Sequence, residues 1–288
     1  MSENSQALLD SLSLDPRLSL FAVAAGATMA GGELGEETLD DMATQVAGGA
    51  LADLDARLVW PLLAEGLMGD QPSRMLAALT VCGALERLLP EFTALFGHFQ
   101  TGFDGEPVDI GRHQGRVLDV AAAGNAPLRV RLAVLLCNLG KADSPPQHLP
   151  SHYRHIDRCL PRIRNVCARF GIAAELEDFA ILVAMELERV HRATRMRAGS
   201  MAALLERVGA FTDPGRFEDL LTVCACDYFA YPGNTTPAYP KATLLKQALV
   251  ACLALPDPDE DDDEATALHE RRAIAVARAL RSGTDHER

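Results

Sequence analysis

An all-α fold follows from three features of the sequence. The chain of 288 residues is rich in Ala, Leu, Arg and Glu and only 5% aromatic, a composition that favours helices over sheets. Apolar residues recur at helical spacing almost from the start, with no strand-like alternation in the first hundred residues. Gly, Pro and acidic clusters interrupt that periodicity at the intervals expected of helix ends. With 48% apolar residues the chain can bury one large core or two smaller ones.

In chain order, the pattern predicts helices near 16–30, 36–48, 55–69, 71–82 and 84–89. Pro72 and Ser73 open the fourth of these, since a proline is tolerated in the first turn, and Gly83 closes it. The stretch from Gly97 to Ile110 holds several Gly and a Pro and reads as a surface loop. Further helices follow near 111–123, 127–139, 152–169, 174–191, 200–208, 215–230 and 240–254. Residues 256–264 read PDPDEDDDE, where two prolines and seven acidic side chains predict a linker or loop. A last helix, near 265–281, carries Arg271, Arg272, Arg278 and Arg281. Its apolar side (Leu268, Ile274, Ala275, Leu280) is expected to dock on the rest of the molecule.

The net charge of −13 argues against nonspecific polyanion binding by the surface as a whole. From Arg112 to Arg197, however, fourteen Lys/Arg face eight Asp/Glu, a local charge of +6 that leaves −19 elsewhere. That segment is either an ordinary solvated surface or a face for RNA or an acidic partner. No basic leader with a long apolar core is present, and Phe21 to Ala30 is too short and Gly-rich to span a bilayer, so a cytoplasmic location without membrane contact is expected. Seven scattered cysteines read as buried, reduced thiols, and the closely spaced Cys224 and Cys226 have no second pair at zinc-ligand spacing.

The segment GLMGDQPSRMLAALTVCGALERLLPEFTALFG, Gly66 to Gly97, carries a specific resemblance. It is similar to the neck-to-body junction of bacterial class II tRNA nucleotidyltransferases, the CCA-adding enzymes. There a helix opened by Pro-Ser leads to a Cys-Gly-Ala-Leu turn and a Leu-Pro-Glu segment. The likeness continues through VDIGRHQGRVLD (Val108 to Asp119), RLAVLLCNLGKADSPPQHLPSHYRHIDR (Arg131 to Arg158), the Leu182 to His191 helix and the Asp227 region, and resumes in HERRAIAVARAL. It implies a helical neck-like region over 1–97, elongated, then a helical HD-like body over 98–255. The acidic linker 256–264 and a terminal helix and tail over 265–288 follow.

The resemblance also marks what this chain lacks. The family's catalytic head holds magnesium on an Asp-x-Asp pair that follows a Gly-rich phosphate-binding segment, and no such run appears here, so no nucleotidyl transfer is expected. Asp15 and Pro16 match the opening of the neck, but positions expected to hold base-reading arginines carry Leu18, Phe21 and Ala24. A Glu-Arg-x-x-x-Glu pattern likewise falls on Arg57, Leu58 and Leu62, with Trp60 left as a packing residue.

In the body, the family implies an HD phosphohydrolase site, whose His and Asp residues hold divalent metal and acidify a bound water. His113 matches its first ligand, and His152, His155 and Asp227 match later ones. The defining His-Asp doublet is replaced by Cys137 and Asn138, and another His falls on Leu187. A neutral amide and a thiol do not recreate a hard oxygen and imidazole site. No cofactor and no catalytic residue are therefore expected. His113, His155 and Asp227 are the ligands if any metal binds, with Cys137 as a possible soft one.

The expected role is binding, with tRNA or another structured RNA as partner, or a protein. Arg154, Arg158, Arg162, Arg169, Arg192, Arg195 and Arg197 are the candidate phosphate contacts. The alternatives are a metal-dependent phosphohydrolase with an altered HD site, and the body subunit of a split CCA-adding enzyme whose head docks on residues 1–95. His98, His148, His191, His269 and His286 read as single surface or capping groups. Tyr228, Tyr231 and Tyr239 read as packing residues rather than base-stacking ones.

Overall fold

The computed structural model describes residues 15–102, 105–256 and 264–284. Most of the acidic segment 256–264 and the tail with His286 lie outside them. Among the described residues, fourteen α-helices accompany one two-stranded sheet, so the fold is all-α. By their contacts the residues form two units, one running to Ala184 and including 229–234, the other comprising 185–228 and 235 onward.

In the first unit the chain enters through a 3-10 turn, Pro16–Leu18, capped by the Asp15 carboxylate. Helix α1 (Ser19–Gly26) follows, shorter than its sequence pattern, because the small residues after Gly26 form turns. Next come α2 (Glu36–Ala47), α3 (Ala56–Leu67, capped by Asp55), α4 (Pro72–Val81), α5 (Ala84–Leu88) and α6 (Pro90–Thr93). Gly83 takes a positive φ of 76° between α4 and α5, a conformation open to glycine at little cost. Helix α1 packs against α3 and α4, and Leu18, Phe21 and Ala24 lie fully in that core. The positions that the family resemblance assigns to arginines are thus filled by apolar packing. Leu62 is buried too, whereas Arg57 and Leu58 face solvent. Leu88 and Leu89 are buried.

The stretch read as a loop instead contains a hairpin, β1 (Phe99–Thr101) antiparallel to β2 (Pro107–Asp109). Three-residue strands broken by Gly and Pro carry too little alternation to be seen in sequence. Asp109 then caps α7 (Ile110–Ala123) by accepting from Arg112 N. Helix α8 (Leu128–Leu136) packs on α7 and gives way to a 3-10 turn at Leu139–Lys141. Helix α9 (His155–Phe170) begins later than predicted, because His152 and Arg154 have positive φ.

Two long-range contacts fasten these helices. Asp119 of α7 accepts from Ser73 N at 3.0 Å and Ser73 Oγ at 2.6 Å, satisfying the first turn of α4. Arg131 of α8, 3% exposed, donates to Leu67 O and Gly69 O at 2.8 Å, where α3 ends. Both use side chains on terminal backbone groups that have no partner within their own helix.

Helix α10 (Ala174–His191) leads into the second unit, with α11 (Ala198–Arg207), α12 (Pro214–Phe229), α13 (Pro240–Leu253) and α14 (Glu264–Thr284). Helix α14 packs on α11 and α13. It docks as expected, but Val276 is the fully buried residue and Ile274 is 52% exposed. Arg272 holds it further, pairing with Glu206 at 2.9 Å and lying over the Phe211 ring.

Candidate functional site

In the first unit, the residues that match the HD pattern gather where α7, the end of α8, the β-hairpin and the start of α9 meet. Cys137 and Asn138, which the resemblance sets at the metal-doublet positions, are 4% and 2% exposed. Asn138 Nδ2 donates to Gln114 Oε1 at 2.9 Å. Gln114 Nε2 in turn donates to Val134 O and lies 3.5 Å from Cys137 Sγ. The doublet has become part of a neutral hydrogen-bonded cluster, with a glutamine whose importance sequence reading missed.

Beside it, Lys141 Nζ donates to Gln100 Oε1 at 2.8 Å, and Gln100 Nε2 donates to Tyr231 OH at 2.9 Å. Tyr231 lies against the His113 ring, centroids 4.3 Å apart. The hairpin supplies Gln100, so this second glutamine went unread in the sequence together with the strands. The buried Lys141 ammonium thus rests on an uncharged amide oxygen.

His152 is also enclosed. Its Nε2 donates to Phe99 O at 2.9 Å, leaving Nδ1 to accept from Ser144 Oγ at 2.9 Å. Burial pushes its pKa below the usual histidine value, and the positive charge of Lys141 acts in the same direction. His155 Nδ1 donates to His152 O at 3.1 Å. Gly140 lets the Leu139–Lys141 turn lie against the start of α9, since a Cβ there would collide with His155 O and the Cys159 amide. Burial raises the Cys159 thiol to about 11 and that of Cys167 to about 12, so neither is a ready thiolate.

The remaining HD positions belong to the second unit. Leu187 is buried apolar packing. Asp227, 7% exposed, has its Oδ2 3.1 Å from His191 Nε2. His191 Nδ1 meets Tyr239 OH at 2.8 Å. Burial drives the phenol pKa far upward, so Tyr239 keeps its proton and donates it to Nδ1. His191, read in sequence as a lone surface or capping group, therefore belongs to a Tyr–His–Asp chain.

Among the described residues, no three His, Cys, Asp or Glu side chains come close enough to hold a metal ion. The donor set of the first unit explains this locally. The Asn138 amide is committed to Gln114, and both ring nitrogens of His152 are engaged. These residues do not fit an HD metal centre.

The candidate phosphate-binding arginines are largely engaged as well. Arg162 pairs with both oxygens of Asp143 at 2.7 and 2.8 Å, and Arg158 donates to Gly140 O and Ser144 Oγ. The Arg162 hydrogen bond holds the Asp143 pKa below the ordinary carboxylate value. Arg169 forms a two-bond pair with Glu91. Arg154 pairs with Asp157, and Arg192 with Glu188. Arg195 and Arg197 are exposed, with no acceptor assigned among the described residues.

No family model matches this sequence. It is 40% identical over 221 residues to the Multifunctional CCA protein of Nitrosospira multiformis, covering 77% of this chain and 54% of that protein. To the Multifunctional CCA protein of Paraburkholderia phymatum it is 38% identical over 276 residues, 92% of this chain and 66% of the relative. The chain belongs to the CCA-adding enzyme family. A third such relative, from Polaromonas naphthalenivorans, is 40% identical over 235 residues, 82% of this chain and 54% of its own length. The chain thus spans between half and two thirds of these CCA proteins. No helix among its described residues is long and apolar enough to cross a membrane.

Proposed function

We propose that this member of the CCA family is a non-catalytic, cytoplasmic binding module for structured RNA of the tRNA class, working without a resident metal or cofactor. The observation that carries the non-catalytic part is the neutral cluster around Cys137 and Asn138. Phosphoester hydrolysis at an HD-type site needs ligands that hold a cation and acidify its water. Here the doublet positions offer a thiol and an amide whose hydrogen bonds run inward. The apolar filling of Leu18, Phe21 and Ala24 supports the same reading for the neck, where side chains that could read a nucleotide are replaced by core.

The RNA part rests on family membership and on the arginines. Arg158, Arg162 and Arg169 are separated by four and seven residues, which sets them along nearly one line of α9. Arg154 precedes that line by one further turn. Because Asp143 and Glu91 already engage three of these guanidinium groups, phosphate must share them, and binding should be weak, with Kd in the range of about 10⁻⁶–10⁻⁴ M at physiological salt.

An electrophoretic shift assay with total tRNA at two salt concentrations tests this. Binding is expected at low salt and should fall steeply as salt rises, since phosphate contacts release counterions. The triple variant Arg154→Glu, Arg195→Glu, Arg197→Glu should lose it without a change in melting midpoint, because all three side chains are exposed. Failure to bind at low salt, or binding that survives the triple variant, removes the RNA reading. Metal-dependent phosphodiesterase turnover that disappears in His113→Ala or Asp227→Ala would overturn the non-catalytic one.

A further inference from the structure

Helix α4 turns an apolar side to solvent. Ala77, Thr80 and Val81 are exposed, Val81 by 64%, and Arg74 is the one charged side chain in its ten residues. The solvent side of a helix ordinarily carries charged residues. Open grooves border this one on both flanks. The larger, about 460 Å³, is walled by Leu76, Thr80, Phe92 and Phe96 and floored by Gly111 and Gly115 of α7. The smaller, about 300 Å³, is lined by Ala27, Leu34, Leu39 and Ala78 and by the Glu33–Arg74 ion pair. Ala77 and Val81 line both, forming a ridge between them. The Phe96 ring lies directly on the α7 backbone, where a Cβ on Gly111 would meet it at 2.8 Å.

The larger groove has a basic rim in an acidic protein. Arg112 and Arg116 stand one helical turn apart along it. Two carboxylates accompany these arginines, Asp119, which also lines the groove and accepts from Ser73, and Asp109, which accepts from Gly97 N and Arg112 N. Arg116 Nε donates to Ala230 O, and no acceptor among the described residues is assigned to the exposed Arg112 guanidinium. Burial holds the Arg116 pKa below its ordinary value, the nearby Asp109 carboxylate opposing that shift and the adjacent Arg112 charge adding to it.

We propose that the α4 ridge and its two grooves are a docking site for an amphipathic helix of a partner polypeptide. That helix presents apolar side chains at i, i+3, i+4 and i+7, and its Asp or Glu flank faces Arg112 and Arg116. Ten residues of helix make a ridge about 15 Å long, matching two to three turns of a helix laid in a groove. The polar atoms suited to reading a nucleobase are already spent, Ser73 Oγ on Asp119 and Thr80 Oγ1 on Leu76 O. This site goes beyond the RNA reading and uses none of its arginines.

A fluorescein-labelled 18-residue helical peptide with leucines at that spacing and glutamates on its flanks is the probe, titrated with the full chain by fluorescence anisotropy. It should bind at least tenfold more tightly than the same peptide with lysines for glutamates. Val81→Asp should weaken binding at least tenfold, and Arg112→Glu should reverse the charge preference. Both side chains are exposed, so the melting midpoint should not move. No binding of the acidic peptide, equal binding of the two peptides, or indifference to Val81→Asp would overturn the proposal. Displacement of the peptide by single-stranded RNA more effectively than by unlabelled peptide would also overturn it and assign the face to nucleic acid. None of these results alters the tRNA test, which reads different residues.

Discussion

The two contact units bury polar groups by opposite means. In the first, Gln114, Asn138 and Cys137 form a neutral cluster, and the one buried ammonium beside it, Lys141, meets an amide oxygen. In the second, Glu186 is 1% exposed and receives Arg189 at 2.8 Å and Arg207 at 2.9 Å. Neutral amides can leave water at modest cost if each hydrogen bond is remade, whereas a carboxylate needs a counter-charge. Where the family pattern puts an aspartate, this chain has an amide that needs no cation.

The largest effect expected from this difference is in the second unit. Replacing both Arg189 and Arg207 with Ala leaves Glu186 buried and unpaired, and should cost about 3–5 kcal/mol in urea unfolding. Glu186→Leu should cost clearly less, because both arginines are nearly half exposed and can rehydrate. Equal losses would show that Glu186 contributes through packing and not through charge.

A smaller effect is expected in the first unit. Asn138→Asp sets carboxylate lone pairs against Gln114 Oε1, and Gln114 cannot simply turn over, because its Nε2 is held by Val134 O. The variant should lose about 1–3 kcal/mol at pH 7. Its buried carboxyl would have a raised pKa, so the deficit is full above that folded value and shrinks as pH falls through it. A deficit unchanged between pH 7 and pH 4 would break the claim that the neutral cluster rejects charge. The same variant would gain stability with added divalent cation if the cluster could still open into a metal site.

The smallest effect concerns Asp143, half exposed between Arg158 and Arg162. Its folded pKa is depressed below 3.8 by the Arg162 hydrogen bond. The contribution is therefore present above pH 3.8 and lost as pH falls through the lower folded value. Screening limits it to about 0–1 kcal/mol. Asp143→Asn should flatten that acid limb of the melting curve; an unchanged limb would place the acid sensitivity elsewhere.

Helices and the family were legible in the sequence because both are written in local patterns. The run from Gly66 to Gly97 carries its apolar period, its opening Pro72 and Ser73 and its closing Gly83 within a few turns of chain, and the structure has helices where that pattern puts them. That the resemblance sets Cys137 and Asn138 where the family has a metal doublet could also be read in the sequence. What replaced it could not, because its parts are distant in the chain. Gln100 comes from a hairpin too short to show alternation, Gln114 is one unremarked residue on α7, and Tyr231 lies more than a hundred residues beyond Gln100. The arginines of α9 were visible as charge, but a charge in sequence has no partner. Only tertiary structure brings Glu91 to Arg169 and Asp143 to Arg162, and so decides that these cations are already paired while Arg195 and Arg197 remain exposed.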